Sequence, residues 1–98
     1  MTNKTIAILG AGSWGTAIAL HLAKVGHKVM LWSHNPQQVL EMEHTKTNQA
    51  FLPDCLFPPT LTPSANLEQS LQAADHVIIA VPSHAFAQVL AQINHPLT

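Results

Sequence analysis

Apolar positions follow two rhythms along this chain. Residues 5–9, 28–32 and 76–81 form short, nearly unbroken apolar runs rich in β-branched residues. That is the pattern of strands covered on both faces. Residues 14–25 space their apolar positions for a helix, with Gly15, Ile18, Ala19 and Leu22 as the stripe that faces a sheet. Gly26 suits the left-handed position after that helix. Asn35-Pro36 supplies an N-cap and a first-turn proline, so a second helix starts there. It carries Val39, Leu40 and Met42 and fades near His44.

Residues 45–64 break both rhythms and hold Pro53, Pro58, Pro59 and Pro63. Phe51, Leu52, Leu56 and Phe57 make this a packed loop rather than a loose linker. A short third strand is expected around Thr60–Thr62, with Pro63 at an edge or a strand end. Asn66 caps a short helix over 67–73. Pro82 stops the strand that begins at His76, Ser83 can cap, and residues 84–94 read as a further helix with Phe86, Val89, Leu90 and Ile93 on one side.

Alternating strands and helices joined by short turns predict an α/β fold with a parallel sheet and right-handed crossovers. The expected strand order is 3-2-1-4, the front of a Rossmann-type doubly wound fold. In that order the fourth strand has an unpaired apolar edge without a protecting charge. Residues 1–98 therefore read as one N-terminal Rossmann-type domain, incomplete at its C-terminal end.

The turn after the first strand is Gly10-Ala11-Gly12-Ser13-Trp14-Gly15. Strand, Gly-x-Gly-x-x-Gly and helix in this order form the fingerprint of dinucleotide binding. Gly10 lets the chain turn sharply off the strand. Gly12 leaves room for a pyrophosphate beside the backbone, and Gly15 lets the helix pack close. The first N–H groups of the helix lack partners within it, and its dipole is positive there, so an anion completes them.

Composition narrows the function classes. Charged residues are 9% of the chain, against a typical ~25%. Hydrophobic content is 47%, so some apolar surface is expected to be covered by something else. Net charge is −1, with four lysines and no arginine, which argues against nucleic acid and membrane surfaces. The seven histidines are scattered without metal-ligand spacing, so no metal is expected. Cys55 stands alone without a motif and reads as a small hydrophobe, which fits a reducing cytoplasm. Lys4 and the apolar residues after it resemble a signal peptide, but Gly10, Gly12 and Gly15 interrupt the run.

The end of the second strand reads the adenosine ribose in such sites, where an acidic residue favours NAD. Here that segment is Trp32-Ser33-His34-Asn35, and no acidic residue lies between Thr16 and Leu40. Ser33 and His34 can donate to a 2′-phosphate, and the helix at Pro36 adds its positive end. NADP is favoured, with NAD as the other cofactor expected.

Four segments in order carry a resemblance. They are Gly10 to Ala17, Gly26-His27-Lys28-Val29-x-Leu31-Trp32, Asn48-x-x-Phe51-Leu52-Pro53 and Ala80-Val81-Pro82-Ser83. Across nearly its whole length the chain resembles NAD(P)-dependent glycerol-3-phosphate dehydrogenase of the bacterial type. The resemblance implies reduction of dihydroxyacetone phosphate to sn-glycerol 3-phosphate for phospholipid synthesis, in the cytoplasm, and it allows a homodimer of the full-length protein. It implies cofactor contacts from Ser13, Trp14 and His34. The family's catalytic lysine, a second lysine that contacts cofactor and a helical substrate domain lie beyond residue 98, so no catalytic residue is assigned. Lys4, Lys24, Lys28 and Lys46 match none of those motif positions. Two other readings stay open: a dinucleotide-binding module without catalysis, and another reductase on the same fold. Trp14 as a core aromatic and His34 as a solvated turn residue are the alternatives to cofactor contact.

Overall fold

The structure is a computed structural model that describes residues 4–48 and 55–80. The expected Phe51-Leu52-Pro53 loop, the Val81-Pro82-Ser83 turn and the helix over 84–94 lie outside the described residues. The elements run β1 (Thr5–Leu9), α1 (Ser13–Lys24), β2 (Lys28–Trp32), α2 (Pro36–Thr45), β3 (Leu61–Ser64), α3 (Leu67–Gln72) and β4 (His76–Ile79). All strand pairs are parallel, and the order is β3-β2-β1-β4. The register sets Leu9 beside Trp32 and Ile79, and Trp32 beside Ser64. The carboxyl ends of the four strands thus share one edge of the sheet, where the glycine turn emerges.

Alternation along β1 splits the core. Ile6 and Ile8 join Val29, Leu31 and Leu61 beneath α1 and α2, with Ala19, Leu20, Ala23, Val39 and Met42 packed on them. Ala7 and Leu9 face the other way, onto Trp32 and Leu71 of α3. Both faces of β1 are buried, which explains its unbroken apolar run. Cys55 packs half-buried on the first cluster.

Several details differ from the pattern read in sequence, among them α1, which runs from Ser13 to Lys24 rather than over 14–25, and β4, which ends at Ile79. The buried face of α1 is Gly15, Thr16, Ala19, Leu20 and Ala23. Ile18 and Leu22 sit at its shoulder, half-buried. The stripe is turned because Thr16 meets a polar partner, Asn48, inside the fold. β3 begins one residue later than expected and contains Pro63. Backbone N–H groups of Val29 and Ser33 bond the Thr60 and Ser64 carbonyls. By alternation Pro63 turns its donor-less nitrogen to the open side of this edge strand. α3 stops at Gln72, one residue short of expectation.

The caps match the sequence signals. The Asn35 side chain accepts from the Gln37 and Gln38 N–H groups, with Pro36 next in the first turn. After α1, the Gly26 N–H bonds the Ala23 carbonyl and the His27 N–H bonds the Leu22 carbonyl. Gly26 sits at φ 106°, a region open to glycine.

Candidate dinucleotide site

The site is built on the turn between β1 and α1. Gly10 has φ 123°, and its N–H donates to the Trp32 carbonyl at 2.9 Å, which ties the turn to the end of β2. α1 then starts at Ser13 with Gly12 as an extended N-cap. Its first internal bond runs from the Thr16 N–H to the Gly12 carbonyl at 3.0 Å. No side chain caps this first turn among the described residues, and no acidic residue lies in it. The leading N–H groups and the positive end of the dipole therefore face outward at the sheet edge.

Gly12 and Gly15 are glycines for different reasons. A Cβ on Gly15 would collide with the Gly10 carbonyl and approach Ala80 Cβ to 3.3 Å. Among the described residues, nothing lies within 4 Å of a Cβ built on Gly12. Its φ of −80° is also open to any residue. The fold needs no glycine at Gly12. A phosphate group seated on the uncapped helix start does, so the residues present fit the pyrophosphate of a dinucleotide.

Ser13 is exposed at the helix start. Trp14 is 72% exposed, which removes the reading of a core aromatic. His34 is exposed beside Trp32, with ring centroids 6.4 Å apart. Trp32 itself is buried and donates its indole N–H to the Ala65 carbonyl at 3.3 Å. Trp32, His34, Ala65, Asn66 and Leu67 line an open hollow of about 670 Å³ at this edge. Ser33 does not stand beside His34 as a second outward donor. It is 2% exposed, its hydroxyl donates to Gln38 Oε1 at 2.6 Å, and it accepts from the Asn35 N–H at 3.1 Å.

Two residues that sequence patterns left unassigned close the inner side of the site. Gln38 Nε2 donates to the Ala11 carbonyl at 2.9 Å. Asn48 is buried, and its Nδ2 donates to the same carbonyl and to Thr16 Oγ1, both at 2.8 Å. Gln38 stands three residues after the Asn35 cap, the place from which a glutamine reaches back to the cap. Here it reaches across to the glycine turn instead. Asn48 had a signal only as the first residue of the Asn-x-x-Phe-Leu-Pro segment. Among the described residues, no three His, Cys, Asp or Glu side chains come together to hold a metal. No described helix is long and apolar enough to cross a membrane.

Residues 5–98 match the family model of the NAD-dependent glycerol-3-phosphate dehydrogenase N-terminus. The chain belongs to that family. It is 60% identical over 96 residues to a glycerol-3-phosphate dehydrogenase [NAD(P)+] of Legionella pneumophila, covering 98% of this chain and 29% of that protein. The crystal structure of glycerol-3-phosphate dehydrogenase from Coxiella burnetii superposes with a TM-score of 0.89 at 47% identity, over 92% of this chain and 28% of that one. The Saccharomyces cerevisiae enzyme superposes with a TM-score of 0.84 at 18% identity, over 99% of this chain and 31% of that one, a likeness of fold. The chain thus spans less than a third of the length of these glycerol-3-phosphate dehydrogenases. Three of the four lysines of this family member, Lys4, Lys24 and Lys28, lie at the opposite end of the strands from the glycine turn. Lys4 precedes β1, Lys24 ends α1, Lys28 starts β2 and Lys46 follows α2.

Proposed function

We propose that this chain is the cofactor-binding part of an NAD(P)-dependent glycerol-3-phosphate dehydrogenase that reduces dihydroxyacetone phosphate to sn-glycerol 3-phosphate. The observation that carries the reading is Gly12. Its Cβ direction is open, its backbone is ordinary, and it stands before an uncapped helix. Gly10, Gly12 and Gly15 shape the pyrophosphate seat, and Ser13 adds its hydroxyl and N–H. Trp14 covers the dinucleotide from the solvent side. His34 donates to the 2′-phosphate of the adenosine ribose, so NADP is preferred over NAD. Ser33 serves that end from within, by fixing the turn that presents His34. The bound nicotinamide supplies the hydride. The protein works in the cytoplasm, in keeping with its single cysteine, and feeds phospholipid synthesis.

Substrate reduction also needs a group that stabilises or protonates the developing alkoxide, and a clamp for the substrate phosphate. Lys4, Lys24 and Lys28 stand at the opposite end of the strands from the glycine turn. Residues 1–98 alone therefore hold cofactor without turnover. NADPH oxidation with saturating dihydroxyacetone phosphate is measured on residues 1–98 and on a chain extended past Thr98. Turnover is expected only from the extended chain. Comparable rates from both would overturn the assignment of roles, and no turnover from the extended chain would overturn the reaction.

A further inference from the structure

Ala11 is the middle of the glycine turn, and its carbonyl points into the protein. Two side chains from outside the motif meet it there, Gln38 Nε2 at 2.9 Å and Asn48 Nδ2 at 2.8 Å. Gln38 also accepts from the Ser33 hydroxyl at 2.6 Å, and Asn48 also donates to Thr16 Oγ1 at 2.8 Å. Asn48 Oδ1 lies 3.5 Å from Gln38 Nε2. The chain of contacts is continuous: the turn after β2, the third residue of α2, the glycine turn, and the first buried turn of α1. Ser33, Thr16 and Asn48 are all buried within it.

We propose that Gln38 and Asn48 are positioning residues that clamp the Ala11 carbonyl inward and so hold the glycine turn ready for a pyrophosphate. The proposal rests on the reading of that turn as the pyrophosphate seat. The physical reason is the geometry of a peptide unit. A carbonyl and the N–H of the next residue point in opposite directions, so fixing the Ala11 carbonyl inward fixes the Gly12 N–H outward. Gly12 on one side of this peptide lowers its resistance to rotation. Two donors on one carbonyl supply that resistance. A turn already ordered gives up less entropy when the anion arrives. Ser33 extends the clamp to the turn that carries His34, so the ribose end and the pyrophosphate end share one rigid frame.

Gln38→Met keeps the size and lack of charge of the side chain and removes its hydrogen bonds to the Ala11 carbonyl, the Ser33 hydroxyl and Asn48 Oδ1. Asn48→Leu removes the Asn48 hydrogen bonds at the buried end, with a larger cost in stability. Gln37→Met, one residue away and exposed, is the control. ADP is titrated into the whole protein, and amide hydrogen exchange and melting temperature are measured without ligand. Gln38→Met is expected to raise the ADP Kd about tenfold and to speed exchange over residues 10–13 while exchange through the rest of β1 and α1 stays that of the parent, with a lower melting temperature because the buried Ser33 hydroxyl loses its acceptor. Gln37→Met changes none of these. Parent-like ADP affinity in Gln38→Met would overturn the proposal. So would a loss of affinity accompanied by faster exchange throughout β1 and α1, which is a general loss of structure. If the parent itself does not bind ADP, the reading of the glycine turn falls first, and the clamp with it.

Discussion

The fold needs Gly15 and not Gly12, which on the proposed function leaves Gly12 to the ligand. Gly15→Ala places a methyl group against the Gly10 carbonyl. Overpacking of this kind costs about 1–3 kcal/mol, read as a lower denaturant midpoint. His34 tests the other end of the site. His34→Asp puts an acceptor and a negative charge where a 2′-phosphate would bind, so the ratio of NADPH to NADH affinity is expected to fall. An unchanged ratio would mean that His34 does not face the 2′ position. Single residues were also where sequence reading was weakest. Trp14 and His34 could be singled out by motif, and both prove exposed. Ser33 could not be separated from His34, because the residue that draws it inward, Gln38, belongs to the next helix.

Strands were more legible than helix faces. Burial on both sides leaves an apolar run that no helix rhythm imitates, so β1 and β2 coincide with the expected residues 5–9 and 28–32. The α1 stripe was harder to read, because the face is set partly by the Thr16 contact with Asn48, thirty-two residues away. Apolar periodicity cannot register a buried hydroxyl. The corrected face makes a prediction of its own. Leu20 is 5% exposed, whereas Leu22 is half-buried at the shoulder. Leu20→Ala is expected to cost about 2–5 kcal/mol in urea unfolding, and Leu22→Ala clearly less. Equal losses would favour the original stripe. β3 shows a similar limit: Pro63 fits within the strand only because its free side faces the open edge of the sheet.

At the scale of the molecule, the strand order follows from alternation and crossover handedness, and it brings every candidate cofactor residue to the carboxyl edge of the sheet. Three of the four lysines, Lys4, Lys24 and Lys28, flank the ends of the strands far from the glycine turn. On the proposed function, that separation leaves the chemistry on the substrate to groups other than these three lysines. The central claim is that a dinucleotide seats its pyrophosphate over Gly12. The most direct measurement is titration of NADPH into the parent and into Gly12→Val, with melting curves on both. Gly12 has an extended backbone and open space at its Cβ, so the valine variant is expected to fold with a loss of about 1 kcal/mol or less. Its NADPH binding should nevertheless be lost. Undiminished NADPH binding by a folded Gly12→Val protein would contradict the account.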